Sequence, residues 1–479
     1  MWALHFSVKY NNRFPTTFHG LALVLLLFLA YPTSSCTEQE RDSLLQFLGG
    51  LSQDGNLTLT WKNSTNCCTW EGITCSSDMM VTDVMLASRS LQGFISPFLG
   101  NLTGLLHLNL SYNLLSGGLP LELMLSNSIT ILDVSFNQLS GELREMSSAT
   151  PVRPLKVLNI SSNLFTGQFP SNTWEVMNDL IALNASNNSF VGPIQAAFCV
   201  SAPSFNVLEL SYNQFTGSIP PGFGNCSKLT SLSARHNYLS GTLPDDLFNI
   251  TLLEHLSFPN NQLEGSLSSI SKLINLVTLD LEGNRFGGNI PDSIGELKRL
   301  EEIHLDDNHM SGDLPSTLSN CRDLITIDLK KNNFSGELSK VNFFNLANLK
   351  TLDLAWNNFT GTIPESIYSC NNLVALRLSW NKFPGQLSER IGDLKLLSFL
   401  SLVNISLTNI TSTLQILKSC VNLSTLLIGF NFKNEAMPED DIIGGFQNLQ
   451  VLSIESCSLS GENTSLVIKA CEFGDAILK

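Results

Sequence analysis

The chain has 479 residues, 43% hydrophobic and 14% charged, with a net charge of −15. Those proportions suit a folded protein with a continuous core and exclude a disordered one. The acidic balance excludes a phosphate-tracking nucleic-acid binder, which needs clustered Lys and Arg, and it opposes docking on an anionic membrane face. Length alone predicts about three domains, a count that the repeat described below overrides.

Residues 1–35 read as a targeting segment. Lys9 and Arg13 give a positive start, an apolar run follows from Leu21 to Ala30, and small residues precede Cys36. The run is short for a bilayer span, so the reading is a signal peptide cleaved close to Cys36, with an uncleaved anchor as the competing one. No later stretch reaches the roughly 18 uninterrupted apolar residues a span needs. Eleven cysteines in a secreted chain predict disulfides, and the odd number leaves at least one thiol over.

Residues 36–80 read as a cap. Thr37 and Glu40 have the spacing of a capping box that opens a helix, and Leu44, Leu48 and Leu51 fall on one face of it. The run Cys67-Cys68-Thr69-Trp70-Glu71-Gly72-Ile73-Thr74-Cys75 follows. Adjacent cysteines rarely bond to each other, because that geometry is strained. Zinc is the competing use, opposed by secretion and by the lack of a Cys-x-x-Cys pair here.

From Val81 to Leu459 the chain repeats L-x-x-L-x-L-x-x-N-x-L/F-x-G, as in Leu105, Leu108, Leu110, Asn113, Leu115 and Gly117. The signature residue recurs at Asn113, Asn137, Asn163, Asn188, Asn213, Asn237, Asn261, Asn284, Asn308, Asn332, Asn357 and Asn381. Weaker copies stand at Ile405, Asn431 and Cys457, and one precedes at Arg89. Sixteen copies spaced by 23 to 26 residues predict a leucine-rich-repeat solenoid over 81–462, in the α/β class. Each L-x-L is a short strand whose leucines point inward, and stacking buries what one repeat cannot. The Asn amide satisfies backbone groups at the turn, the next Leu or Phe fills the interior, and the Gly permits a tight path.

Many copies continue as G-x-I/L-P, for example Gly217 to Pro220 and Gly361 to Pro364. This extension resembles the plant-specific subclass of leucine-rich repeats. The resemblance implies a parallel inner sheet, a second short strand per repeat and a right-handed superhelix. The cap run is similar to the N-terminal cap of plant receptor ectodomains, which implies disulfides Cys36–Cys67 and Cys68–Cys75.

Cys226, Cys321, Cys370 and Cys420 each precede a repeat's first leucine by three residues, a shared phase that predicts buried packing positions. Cys199 and Cys226, about one repeat apart, are a candidate pair across neighbouring turns. Fifteen sequons occur, at Asn56, Asn63, Asn101, Asn109, Asn159, Asn184, Asn187, Asn225, Asn249, Asn333, Asn358, Asn404, Asn409, Asn422 and Asn463. Several are by-products of the repeat. Asn109, Asn159 and Asn184 occupy outward strand positions, so glycans there would cover the N-terminal part of the concave face and leave a ligand further along.

Sixteen stacked strands make an inner sheet of roughly 75 Å, a length suited to an extended peptide or a protein partner. From Asn261 onward its outward positions are polar: Asp280, Glu282, Glu302, His304, Asp306, Asp328, Lys330, Asp353 and Arg377. Trp356 and Trp380 share one position in adjacent repeats and are expected to lie side by side, next to Arg377. These residues are the candidate ligand-binding patch; each taken singly also reads as an ordinary solvated residue of the ladder. No cofactor motif and no metal set is read, and no nucleophile–His–acid grouping stands out.

The phrases from Phe198 to Asn213 and from Leu397 to Ile410 are more specific than the generic repeat. They resemble the phytosulfokine receptor and tyrosine-sulfated glycopeptide receptor group of plant receptor kinases, over roughly Cys36 to Glu462. That resemblance implies a cell-surface receptor for a small secreted sulfated peptide, signalling with a co-receptor kinase that has its own leucine-rich-repeat ectodomain. The group also carries an island insertion, a membrane span and a kinase, none of which this sequence shows. Residues 463–479 leave the pattern and read as a truncation, a splice product or an artefact of gene delimitation. Such an end exposes an apolar edge, and lack of the island predicts weak binding or none. A soluble defence protein resembling polygalacturonase inhibitors, an inert fragment and an enzyme are the competing readings.

Overall fold

The computed structural model describes residues 35–147, 149–436, 445–457 and 459. The signal-peptide reading of residues 1–34, Cys471, Asn463 and the off-pattern tail lie outside them.

The cap forms as its residues direct. Thr37 caps helix Glu38–Gly49, and the box is reciprocal, with Glu40 accepting from Thr37 N. The other carboxylate oxygen of Glu40 accepts from Val81 N at 2.9 Å, which ties the cap to the first repeat. Leu44 and Phe47 are fully buried, whereas Leu48 is only partly covered. Leu51 lies past the helix and opens strand Leu51–Gln53, because the chain stops coiling at Gly49 and Gly50. Trp61 and Trp70 stack at 5.3 Å beneath this layer, their indole N–H groups donating to Glu71 O and Thr65 Oγ1. Cys36–Cys67 and Cys68–Cys75 are both bonded.

The concave sheet begins with strand Ile73–Cys75, antiparallel to Val81–Met85. Every later neighbour is parallel, one strand per repeat, from His107–Asn109 to Val451–Ser453. The sheet stays open, since Ile73–Cys75 and Val451–Ser453 each have one partner strand among the described residues. The central leucine or isoleucine of the parallel strands from His107–Asn109 to Thr425–Leu427 is buried, as at Leu108, Leu256 and Leu376, whereas Leu452 in the last strand is half-buried. Fully burying one such side chain stabilises by roughly 1.5–3 kcal/mol, a gain that requires the neighbouring turn. A second sheet of 13 strands runs from Leu51–Gln53 to Asn358–Thr360. The glycine of the motif closes each strand of this second layer in a left-handed backbone, with φ +78° at Gly361, where an added Cβ would press on Glu337.

The signature asparagines join successive repeats through the backbone and not through one another. Asn261 Nδ2 donates to Phe258 O and Pro259 O of its own turn and to Ala234 O of the preceding one. Its Oδ1 accepts from Leu239 N at 3.0 Å. Asn113, Asn308 and Asn381 repeat this pattern. Cys457, in the same phase, keeps two of these bonds, from Sγ to Ile428 O and to Glu455 O. Ile405 has no amide to offer, so Phe383 N lacks the acceptor that Phe359 N finds in Asn381 Oδ1. Pro384, one residue on, has no N–H for the ladder. The second sheet ends at this point.

Cys199 and Cys226 form a third disulfide across neighbouring turns. Cys226 is therefore bonded and not merely packed, unlike the other cysteines of its phase. Cys321, Cys370 and Cys420 are buried free thiols, each donating to a carbonyl 27 to 29 residues earlier. Among the described residues no helix is long and apolar enough to cross a membrane.

Candidate binding face

Register places Asp280, His304, Asp328, Asp353 and Arg377 side by side on consecutive strands of the concave sheet. Glu282, Asp306 and Lys330 follow two residues later in their own turns. The candidate residues therefore form one acidic patch with two cations set in it.

Two aspartates expected to face solvent do not. Asp306 is 2% exposed and Asp353 1%. Long side chains from the next repeat cover them. Lys330 Nζ lies 2.9 Å from Asp306 and 2.8 Å from Asp328, and Arg377 Nη1 lies 3.2 Å from Asp353. Burial pushes the Asp306 carboxyl up to about 6, against the pull of Lys330. Burial and the neighbouring Asp328 charge likewise raise Asp353. Burial opposes the charge on Lys330, but its hydrogen bonds to Asp328 and Asp306 outweigh that and hold its pKa above the ordinary lysine value. One oxygen of Asp306 and one of Asp280 are buried without a hydrogen-bond partner among the described residues. Glu282, Glu302 and His304 are half-buried. His304, Asp306 and Asp328 could offer a metal ligand atoms within 4.8 Å of one another, but the Lys330 ammonium already occupies the place between the two carboxylates.

The tryptophans stack as their phase predicts. Trp356 and Trp380 lie 4.4 Å apart between ring centroids, 13° from parallel. Phe430 continues the column at 5.6 Å, and the Arg377 guanidinium sits 4.5 Å over the Phe399 ring. The cause is local. The residue before each signature asparagine takes a left-handed turn, with φ +59° at Trp356, +57° at Trp380 and +58° at Phe430. That turn swings the side chain off the strand face, so equivalent rings meet at about the strand spacing. Trp356 remains 51% exposed.

Sequence reasoning missed the other members of this row. Tyr112 stacks on Phe136 at 4.2 Å, and Tyr212 on His236 at 4.4 Å. Arg235 adjoins the second pair and makes no ion pair among the described residues. An aromatic residue immediately before the signature Asn was the available signal.

Of the sequons, Asn56, Asn63, Asn101, Asn187, Asn225, Asn249, Asn333, Asn409 and Asn422 are exposed. Asn109, Asn159, Asn184, Asn358 and Asn404 are half-buried. On the concave strands Asn109 and Asn184 accept from the serine of their own sequon, and Asn159 also donates to Asp133.

Cap, repeat and paired sheets are those of a leucine-rich-repeat solenoid. Family models match as a leucine-rich-repeat N-terminal domain over 37–76 and as leucine-rich repeats over 204–226, 228–250, 275–297 and 298–359. The chain is similar to Receptor-like protein 3 of Arabidopsis thaliana, 45% identical over 95% of this chain and 62% of that protein. The chain thus spans about three fifths of that relative's length. Phytosulfokine receptor 2 of the same plant is 37% identical over 43% of this chain and 20% of its own length. Among solved structures, the leucine-rich-repeat ectodomain of the Arabidopsis receptor kinase HAESA, in complex with an extended IDA peptide hormone, superposes with a TM-score of 0.69. It is 27% identical and covers 87% of this chain and 73% of its own.

Proposed function

We propose that this chain is the extracellular ligand-binding region of a plant receptor-like protein, and that it holds a small secreted peptide along the concave sheet. The observation that carries the reading is the Trp356–Trp380 stack, in which Trp356 is exposed and Trp380 half-buried. Stacked rings in the open give a peptide a rigid apolar anchor, and the polar rows beside them fix its register. The HAESA ectodomain, solved with a peptide hormone, supports the same use of this fold.

A sulfated peptide is the finer reading, resting on the likeness to phytosulfokine receptors. Lys330 and Arg377 are committed to aspartates, so a sulfate is better received by Arg235, next to Tyr212 and His236. A co-receptor kinase is the partner this reading implies.

The test is titration of the secreted chain with a synthetic tyrosine-sulfated pentapeptide and its unsulfated twin. Micromolar or tighter binding, weakened at least tenfold by Trp356→Ala, is expected. Preference for the sulfated form should vanish in Arg235→Gln. If neither peptide binds and a polygalacturonase does, the defence-protein reading replaces this one.

A further inference from the structure

Where the second sheet ends, a cavity of about 230 Å³ opens between two successive turns, away from the concave strands. Thr362, Glu365 and Tyr368 line it from one turn, Phe383 and Gln386 from the next, and Leu407 from the one after. Its origin is the pair of sequence departures already described. Pro384 brings no N–H and Ile405 no amide, so among the described residues the layer continues past Asn358–Thr360 only as the isolated bridge between Gly385 and Leu407.

Three features define what it can hold. Tyr368 is 1% exposed and lines the cavity, yet its hydroxyl has no hydrogen-bond partner among the described residues. The hydroxyl oxygen is not itself sealed off, so it opens into the cavity, where a ligand hydroxyl or a water can partner it. Phe383 and Leu407, 2% and 3% exposed, give an apolar floor, while Thr362 and Gln386 set donors and acceptors around it. The one charged lining group, Glu365, lies 3.6 Å from Arg390, which Asp393 shares at 3.2 Å, so the rim offers no spare cation to an anionic ligand. The volume suits a molecule of about a dozen non-hydrogen atoms, below drug size.

We propose that this notch binds a neutral six-membered sugar ring, either free or as the terminal residue of a glycan. A pyranose presents a C–H face to Phe383 and Leu407 and a hydroxyl edge to Tyr368, Thr362 and Gln386. The site is independent of the peptide reading of the concave sheet.

Saturation-transfer NMR on the whole secreted chain tests it, with methyl glucoside, methyl galactoside, galacturonate and short neutral oligosaccharides as probes. Transfer to the neutral rings, strongest at their C–H protons, and none to galacturonate, is the expected result. Tyr368→Phe should weaken binding at least fivefold, and Gln386→Trp, at an exposed rim position, should fill the notch and abolish it. Transfer to monosaccharides means a free sugar suffices; transfer to oligosaccharides alone makes a glycan end the ligand. Absence of transfer to every neutral sugar, or transfer untouched by both variants, overturns the proposal.

Discussion

Glu40 Oε1 accepts the backbone N–H of Val81 at 2.9 Å, while Oε2 of the same carboxylate accepts from Thr37 N. One side chain thus closes the helix N-terminus and fastens the cap to the first strand of the array. Glu40→Ala leaves the Val81 amide buried without an acceptor and the helix without its box. The expected cost is about 2–4 kcal/mol. It should appear as a lower urea midpoint, with amide exchange accelerated in Val81–Met85 before the rest of the sheet. Unchanged exchange there would mean that disulfides and apolar burial alone hold the cap.

Asn261 serves three carbonyls and one N–H, belonging to two turns. Asn261→Ala strips all four at once, and water cannot replace the amide in a turn this closed. A loss of about 3–5 kcal/mol is expected, the sum of several unpaired buried groups. In an array stabilised by nearest neighbours the damage should stay local. Hydrogen exchange is expected to rise around Ala234–Leu239 and Phe258–Leu263 and to stay at wild-type rates in the cap. A uniform rise along the whole chain would show that the solenoid unfolds as one unit.

The parts of this molecule carried by a period or a fixed spacing were readable in advance. The parallel sheet follows from the leucines, and the Trp356–Trp380 contact follows from two rings in the same phase. The cap disulfides followed from the resemblance of the run Cys67 to Cys75. What the chain order hides is lateral. Burial of Asp306 and Asp353 depends on how far Lys330 and Arg377 reach across from the next repeat, a distance set by sheet curvature. The missing Asn at Ile405 was visible, but its effect on the second sheet needs the neighbouring Pro384 and the register between turns. Phe430 joins the aromatic column although its repeat is one of the weak copies, because the turn geometry outlasts the leucine pattern.

Burial holds the Cys321, Cys370 and Cys420 thiols protonated, with pKa values pushed up to about 11, 12 and 11. Thiolate is the reactive form, so all three should resist modification in the folded chain. With a disulfide-exchange dye at pH 8, these three are expected to remain unlabelled until denaturant is added, and peptide mapping identifies them. Rapid labelling of any one in the native chain would mean that its turn opens readily.

The Asp306 carboxyl titrates near 6 in the folded chain because burial penalises its charge, against an ordinary value of 3.8. Between about pH 4 and 6 the folded chain therefore keeps a proton that the unfolded chain releases. The stability this contributes is fully present below the unfolded pKa and is lost as pH rises through about 6. Asp306→Asn mimics the protonated form, and Lys330 keeps Asp328 at 2.8 Å as its partner. The variant should match wild type near pH 4 and exceed it by about 1–3 kcal/mol at pH 7, the upper figure being two pKa units. Urea midpoints at the two pH values measure the difference. A variant equally destabilised at both would show that the Lys330–Asp306 bond outweighs the cost of burying the charge, and that Asp306 stays ionised throughout.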